Sequence, residues 1–175
     1  AYITLNTLVF DRELCDALVF AEQLYRIGVD AVLVQDLGLA GLIRRNLPEL
    51  TLHASTQMGI HDLGGLQYCK RIGLTRAVLA RETSLAQIKY LSNNCDIELE
   101  TFAHGALCMS FSGSCLYSSM SGERSGNRGT CAQPCRKNAS IFGRPSDKDF
   151  CLSPNDICTV SYTHLRAHET SAHLV

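Results

Sequence analysis

Apolar positions in the first hundred residues follow two alternating rhythms. Short runs rich in β-branched residues, at Tyr2 to Leu8, Ala31 to Val34, Thr51 to Ala54, Ala77 to Ala80 and Ile97 to Phe102, have the length and content of strands. Between them lie longer stretches with helical spacing. The first, Arg12 to Ile27, carries an apolar stripe through Leu14, Leu18, Phe20, Leu24 and Ile27; the others fall near 39–46, 63–72 and 85–91. Gly28 and Gly73 stand where helices stop. Strands alternating with helical crossovers predict parallel βα units. Two folds compete, an open doubly wound sheet and a (β/α)8 barrel. No Gly-x-Gly-x-x-Gly follows any strand, and polar residues gather just past the strand ends: Asn6, Gln35 and Asp36, Ser55 to Gln57, Arg81 and Glu82, and His104. Barrels carry their chemistry on that side. The expectation is therefore an α/β chain forming a partial (β/α)8 TIM-like barrel. Five of the eight strands are visible, so it is expected to be truncated at both ends.

The rhythm breaks after the fifth strand. From Glu100 to Arg136 the chain is rich in glycine and serine and holds Cys108, Cys115, Cys131 and Cys135. Glycine loses too much backbone entropy, and serine competes too well for backbone hydrogen bonds, for an ordinary helix or strand there. A long irregular segment in a compact domain needs an organiser, and four thiols point to a metal or a cluster. A loop at 137–148 follows, then Phe150 to Cys158. From Thr159 or Val160 the sequence VSYTHLRAHETSAHLV loses all periodicity. His164, His168 and Glu169 have the spacing of metal ligands on a helix. The run nevertheless looks like a one-frame translation of a transposon sequencing adapter, and is expected to be a disordered, non-native tail. Three parts are thus expected: barrel units over 1–103, a cysteine-rich segment over 104–158, and the tail over 159–175.

Composition narrows the class. Of 175 residues 46% are hydrophobic and 19% charged, and the net charge is −1. No apolar run reaches the ~20 residues of a membrane span, and the first residues lack a signal-peptide pattern. The expected location is the cytoplasm, with no membrane partner. Nine cysteines could frame disulfides, but that suits small secreted chains with weak cores. Reduced thiols, some acting as ligands, fit this chain better. Cys15, Cys69 and Cys95 lie on or beside apolar helix faces and read as small buried hydrophobes.

Thiolates bind zinc or iron because both accept soft sulfur donors. Structural zinc sites pair cysteines two to four residues apart, which only Cys131 and Cys135 satisfy. The wider, irregular spacing suits a cluster seated over a barrel mouth. Glu100-x-Phe102-x-x-Gly105-Ala106-Leu107-Cys108, then Gly113-x-Cys115, then Gly129-x-Cys131-x-x-x-Cys135-Arg136 resembles the signature of the collagenase-like peptidases, family 32 of the peptidases of unknown catalytic type. Tyr117 departs from it, standing where an aliphatic residue is expected. The flanks NTLVFDREL, GVDAVLVQDLG, HASTQ and AVLARE resemble the family too, over roughly residues 2 to 158. The resemblance implies a barrel and a 4Fe-4S cluster held by Cys108, Cys115, Cys131 and Cys158. Cys135 is the reserve ligand and Cys151 a weaker one.

Two functions follow. The first is an iron–sulfur enzyme hydroxylating an RNA base or a small aromatic ring without molecular oxygen, as relatives of that family do. The second is the peptidase for which the family is named, acting on a protein substrate through Cys108 activated by His104. In either, Arg81 can hold a carboxylate or phosphate, and Glu82 or His104 can move a proton. Arg81 and Glu82 read equally well as an exposed pair capping a strand, and His104 as a positioning residue. Glu100 is expected inside the barrel, paired with a cation. Arg124, Arg128, Arg136, Lys137 and Arg144, with no acid among them over 124–144, suit an RNA backbone, a small anion, or a solvated loop offsetting a thiolate cluster. Neither the substrate nor the oligomeric state is legible.

Overall fold

A computed structural model describes residues 1–106, 108–137 and 156–158, the last three and Gly105 and Ala106 by backbone alone. The tail from 159 with His164 and His168, the loop with Arg144, and Cys151 lie outside the described residues.

Five parallel strands form one sheet: β1 (Tyr2–Leu5), β2 (Ala31–Val34), β3 (Leu52–Ala54), β4 (Arg76–Val78) and β5 (Glu98–Glu100). Their order is 1-2-3-4-5 without reversal, so the doubly wound alternative, which needs a switch point, does not hold. Helices α1 (Leu14–Arg26), α2 (Leu37–Asn46), α3 (Leu63–Arg71) and α4 (Leu85–Asn94) fill the connections. Side-chain caps start three of them. Asp36 accepts from the Leu39 N–H at 2.9 Å, Asp62 from Gly65 at 2.7 Å, and Ser84 forms a capping box with Gln87. The Asp36 cap lets α2 begin two residues before its apolar pattern.

All four helices pack on one face. Ile3, Leu5, Val32, Val34, Leu52, Ala54, Ala77 and Leu99 alternate toward them and join Ala21, Leu24, Ile43, Leu66 and Leu91 in a single core. The expected α1 stripe needs correction: Phe20 and Ile27 are exposed, at 43% and 74%, while Ala17 and Ala21 face the core. Spacing explains this, since 14, 17, 21 and 24 lie along one side of a 3.6-residue helix and position 20 does not. Cys69 is buried as expected, and burial pushes its thiol up to about 11. Cys95 is half-buried, but Cys15 is exposed. All seven cysteines with described side chains are free thiols.

The opposite face is polar. The Tyr2 ring meets His53 edge-on at 5.3 Å, and Arg76 lies over Tyr2. Arg76 also donates to Glu98 at 2.8 Å and Glu100 at 3.3 Å, so Glu100 has the cation expected of it. Burial, with Arg76 beside it, lowers the His53 pKa.

β2 matches its apolar run, Ala31–Val34, while the other four strands are shorter than theirs. β1 stops at Leu5, β4 is Arg76–Val78, and β5 ends at Glu100. A two-stranded antiparallel sheet that the sequence does not announce follows: β6 (His104–Ala106) pairs with β7 (Asp156–Cys158), His104 opposite Cys158. Among the described residues the last α-helix is α5 (Tyr117–Gly122). Among the described residues no helix is long and apolar enough to cross a membrane.

Leu52 is fully buried at the sheet centre. Leu52→Ala is expected to destabilise the domain by about 2–5 kcal/mol, read as a lowered urea midpoint with an unchanged slope.

Candidate metal centre

The glycine-rich segment is not loose; it is fastened across the C-terminal ends of three strands. Beyond β4, the Ser112 N–H and hydroxyl both donate to the Glu82 carboxylate, at 3.1 and 3.0 Å. The same hydroxyl accepts from the Arg81 N–H at 3.1 Å. Beyond β3, Gly113 lies so close to Gln57 that a Cβ would fall 1.9 Å from its carbonyl oxygen, and its φ is +73°. Only glycine meets both conditions. Beyond β1, Leu8 donates from its N–H to the Asn127 carbonyl at 3.0 Å. Arg128 donates to the Leu8 carbonyl and, through both terminal nitrogens, to Glu13 at 2.7 and 2.8 Å. The Arg128 guanidinium lies 4.5 Å from the Phe10 ring centre. That pairing holds the Glu13 carboxyl down at about 2.

Seated this way, the segment encloses a cavity of about 260 Å³ whose walls include Gln57, Arg81, Cys108, Cys115, Cys131 and Cys135. Ser118, at 1% exposure, accepts from the Ala132 N–H at 2.9 Å and ties α5 to the stretch that carries Cys131 and Cys135. The Gln133 N–H points to the Cys131 sulfur at 3.4 Å. Gln133 itself adopts φ +53°, a strained conformation for a side-chain-bearing residue, held between two thiols. Burial and the neighbouring Cys108 raise the Cys135 pKa, with Cys131 adding to the effect.

Of the expected ligands, the structure brings Cys108, Cys115 and Cys131 to one cavity and adds Cys135. The Cys158 side chain lies outside the described residues; its backbone pairs with His104, four residues before Cys108. Among the described residues no three His, Cys, Asp or Glu side chains stand close enough to share a single ion. Arg81 lines the cavity, and its buried Nε–H has no partner among the described residues. Glu82 is turned to Ser112, while His104 is exposed on β6 and is not among the cavity walls. Asp36 caps α2 and also accepts from the Val9 N–H at 3.3 Å. In the basic stretch, Arg128 is spent on Glu13. Sequence reading missed Ser112 and Ser118; a serine's burial leaves no local pattern, and the only hint was their place beside cysteines.

The model of peptidase family U32 matches residues 1–167. The chain is 43% identical over 135 residues to the 23S ribosomal RNA 5-hydroxycytidine synthase of Escherichia coli, covering 77% of this chain and 20% of that protein. It is 33% identical over 166 residues to a tRNA hydroxylation protein of Bacillus subtilis, covering 89% and 39%. A collagenase of Porphyromonas gingivalis is 28% identical over 179 residues, covering 93% and 42%. The chain thus spans between a fifth and about two-fifths of the length of these relatives.

Two outcomes test the seat. Gly113→Ala is expected to lift the segment, seen as faster alkylation of Cys108 and Cys115 with the core's unfolding midpoint little changed. Gly122→Ala, where nothing lies within 4 Å, is the harmless control. The Glu13 pKa is depressed on folding, so its contribution is present above the unfolded carboxylate value of about 4.5 and lost as pH falls through about 2. Protease protection of 124–131 should decline across that window, and Arg128→Ala should remove the dependence while lowering protection at neutral pH.

Proposed function

This chain belongs to peptidase family U32, and from that premise we propose that the full-length protein is an iron–sulfur barrel enzyme that hydroxylates an RNA base without molecular oxygen. The observation that carries the proposal is the gathering of Cys108, Cys115, Cys131 and Cys135 on one cavity beside Arg81. The unbroken parallel order with all helices on one face supports a barrel whose missing strands would enclose the polar face.

The donor set suits a four-iron cluster better than zinc. A zinc ion draws four sulfurs to about 2.3 Å from one centre, whereas each iron of a cubane takes its own cysteine, so the ligands stand apart around it. Four thiols on the wall of one cavity can serve either arrangement, and their wide, irregular spacing along the chain favours the second. Cys108, Cys115 and Cys131 would hold three irons, with Cys158 or Cys135 the fourth. Once bound, a cluster there would supply electron transfer.

The protein's own groups do the rest. The unpartnered Arg81 Nε–H is a donor held in place for a carboxylate or phosphate. Glu82 acts through Ser112 as a positioning residue. Replacing a ring C–H by C–OH needs one oxygen atom and removes two electrons. An organic hydroxyl donor satisfies both: Ar–H + R–OH gives Ar–OH + R–H, with no other oxidant. Two relatives named for RNA hydroxylation support the base as substrate. The peptidase reading lacks its pair, since no hydrogen bond joins His104 to Cys108 among the described residues and His104 is off the cavity.

The test is the full-length protein purified under strict anoxia. Wild type is expected to be brown, and Cys115→Ala or Cys131→Ala to lose both iron and the hydroxylated base in cellular RNA. Peptide cleavage by metal-free protein, abolished by Cys108→Ala alone, would overturn the reading.

A further inference from the structure

Five large apolar side chains in the short stretch 109–120 face solvent: Met109 at 45%, Phe111 at 73%, Leu116 at 62%, Tyr117 at 38% and Met120 at 84%. Such density on a segment that also lines a cavity marks a contact surface rather than scattered exposure. Met109, Phe111 and Tyr117 belong to the cavity walls themselves. Each ring is followed by a buried, hydrogen-bonded serine. Phe111 precedes Ser112, 4% exposed and bonded to Glu82 and Arg81; Tyr117 precedes Ser118, 1% exposed and bonded to the Ala132 N–H. Two aromatic rings are therefore held out at a cavity mouth by fixed backbone.

We propose that Phe111 and Tyr117 form a stacking platform that receives an unstacked base of single-stranded RNA at the mouth of the thiol cavity. The proposal rests on the RNA-base reading above and names the side chains that deliver the base. Every base has a π-face, so exposed rings serve single strands well, and enzymes acting on a base take it out of its stack. Charge favours RNA over a peptide. Across 101–137 Arg124, Arg128, Arg136 and Lys137 stand against Glu123 alone. With Arg128 paired to Glu13, the segment still carries a net basic excess suited to phosphate.

The test measures binding of fluorescein-labelled oligouridine and oligocytidine of about ten nucleotides to the anoxically purified full-length protein. Anisotropy is read at one fixed ionic strength, and iron is measured in every sample. Phe111→Ala and Tyr117→Ala are each expected to weaken binding about 5- to 100-fold at unchanged iron content. Phe111→Trp and Tyr117→Phe should retain binding. Phe111→Leu, which keeps apolar bulk without a ring, should behave like the alanine variant, and it serves equally if alanine disturbs the fold. The proposal is overturned if wild type binds neither oligonucleotide, if the alanine or leucine variants bind like wild type, or if only gelatin-peptide binding depends on the rings. A wild type without iron whose RNA binding still follows the rings would sink the hydroxylase reading and leave the platform standing.

Discussion

The bond between Ser112 and Glu82 is where the chain's two halves become one structure. Ahead of it lies an ordinary βα core that would fold on its apolar pattern alone. Beyond it lies a segment with too much glycine to hold a shape by propensity. The carboxylate accepts from both the N–H and the hydroxyl of one serine, and that hydroxyl accepts from Arg81. This fixes residue 112 in position and direction. Gly113 then lies against the Gln57 carbonyl as no other residue could. The thiols on both sides inherit their positions from this contact. Each oxygen of Glu82 already has a donor, so a proton shuttled through it would loosen the segment it holds. A carboxylate at a strand end invites a catalytic role; here its hydrogen bonds argue for an anchor.

The sheet shows why such an anchor is affordable in stability. One face is closed by four helices over a continuous apolar core, and the other carries Tyr2, His53, Arg76, Glu98 and Glu100 in cross-strand contact. A parallel sheet is ordinarily covered on both faces, so a polar second face means a polar interior or a further layer. The Arg76 pairs, with partners 65% and 45% exposed, contribute little to stability as they stand. Enclosed by further strands, they would be costly to break. The helix side stabilises the fold, which leaves the polar face and the strand ends free to serve chemistry.

How much of this was legible follows from what each feature leaves in sequence. The βα core was, because burial on one face imposes a period, and errors such as Phe20 arose where large residues outweighed spacing. The shared cavity of Cys108, Cys115 and Cys131 was expected, since thiols in a glycine-rich stretch have few other uses. The seat was not. Ser112 and Ser118 matter through burial and through partners up to 31 residues away. Arg128 looked like part of a basic patch until Glu13, 115 residues distant, claimed it. Strands of three residues, β6 and β7, are too short to show any period at all.

The remaining choice concerns the fourth thiol, and it turns on what the site must do for the fold. With Cys135 as ligand the set would close within residues 108–135, and a cluster held there would reach the βα core through Ser112, Gly113, Asn127 and Arg128. With Cys158 the cluster would also fasten the β6–β7 ladder, whose backbone sets that residue opposite His104. Binding energy at a site that exists only in the folded chain is folding energy, and closing a longer loop removes more freedom from the unfolded chain. A ligand from β7 would therefore couple cluster binding more strongly to folding. Cys135 lines the cavity of Cys108, Cys115 and Cys131; a ligand on β7 would make such a cluster part of the architecture.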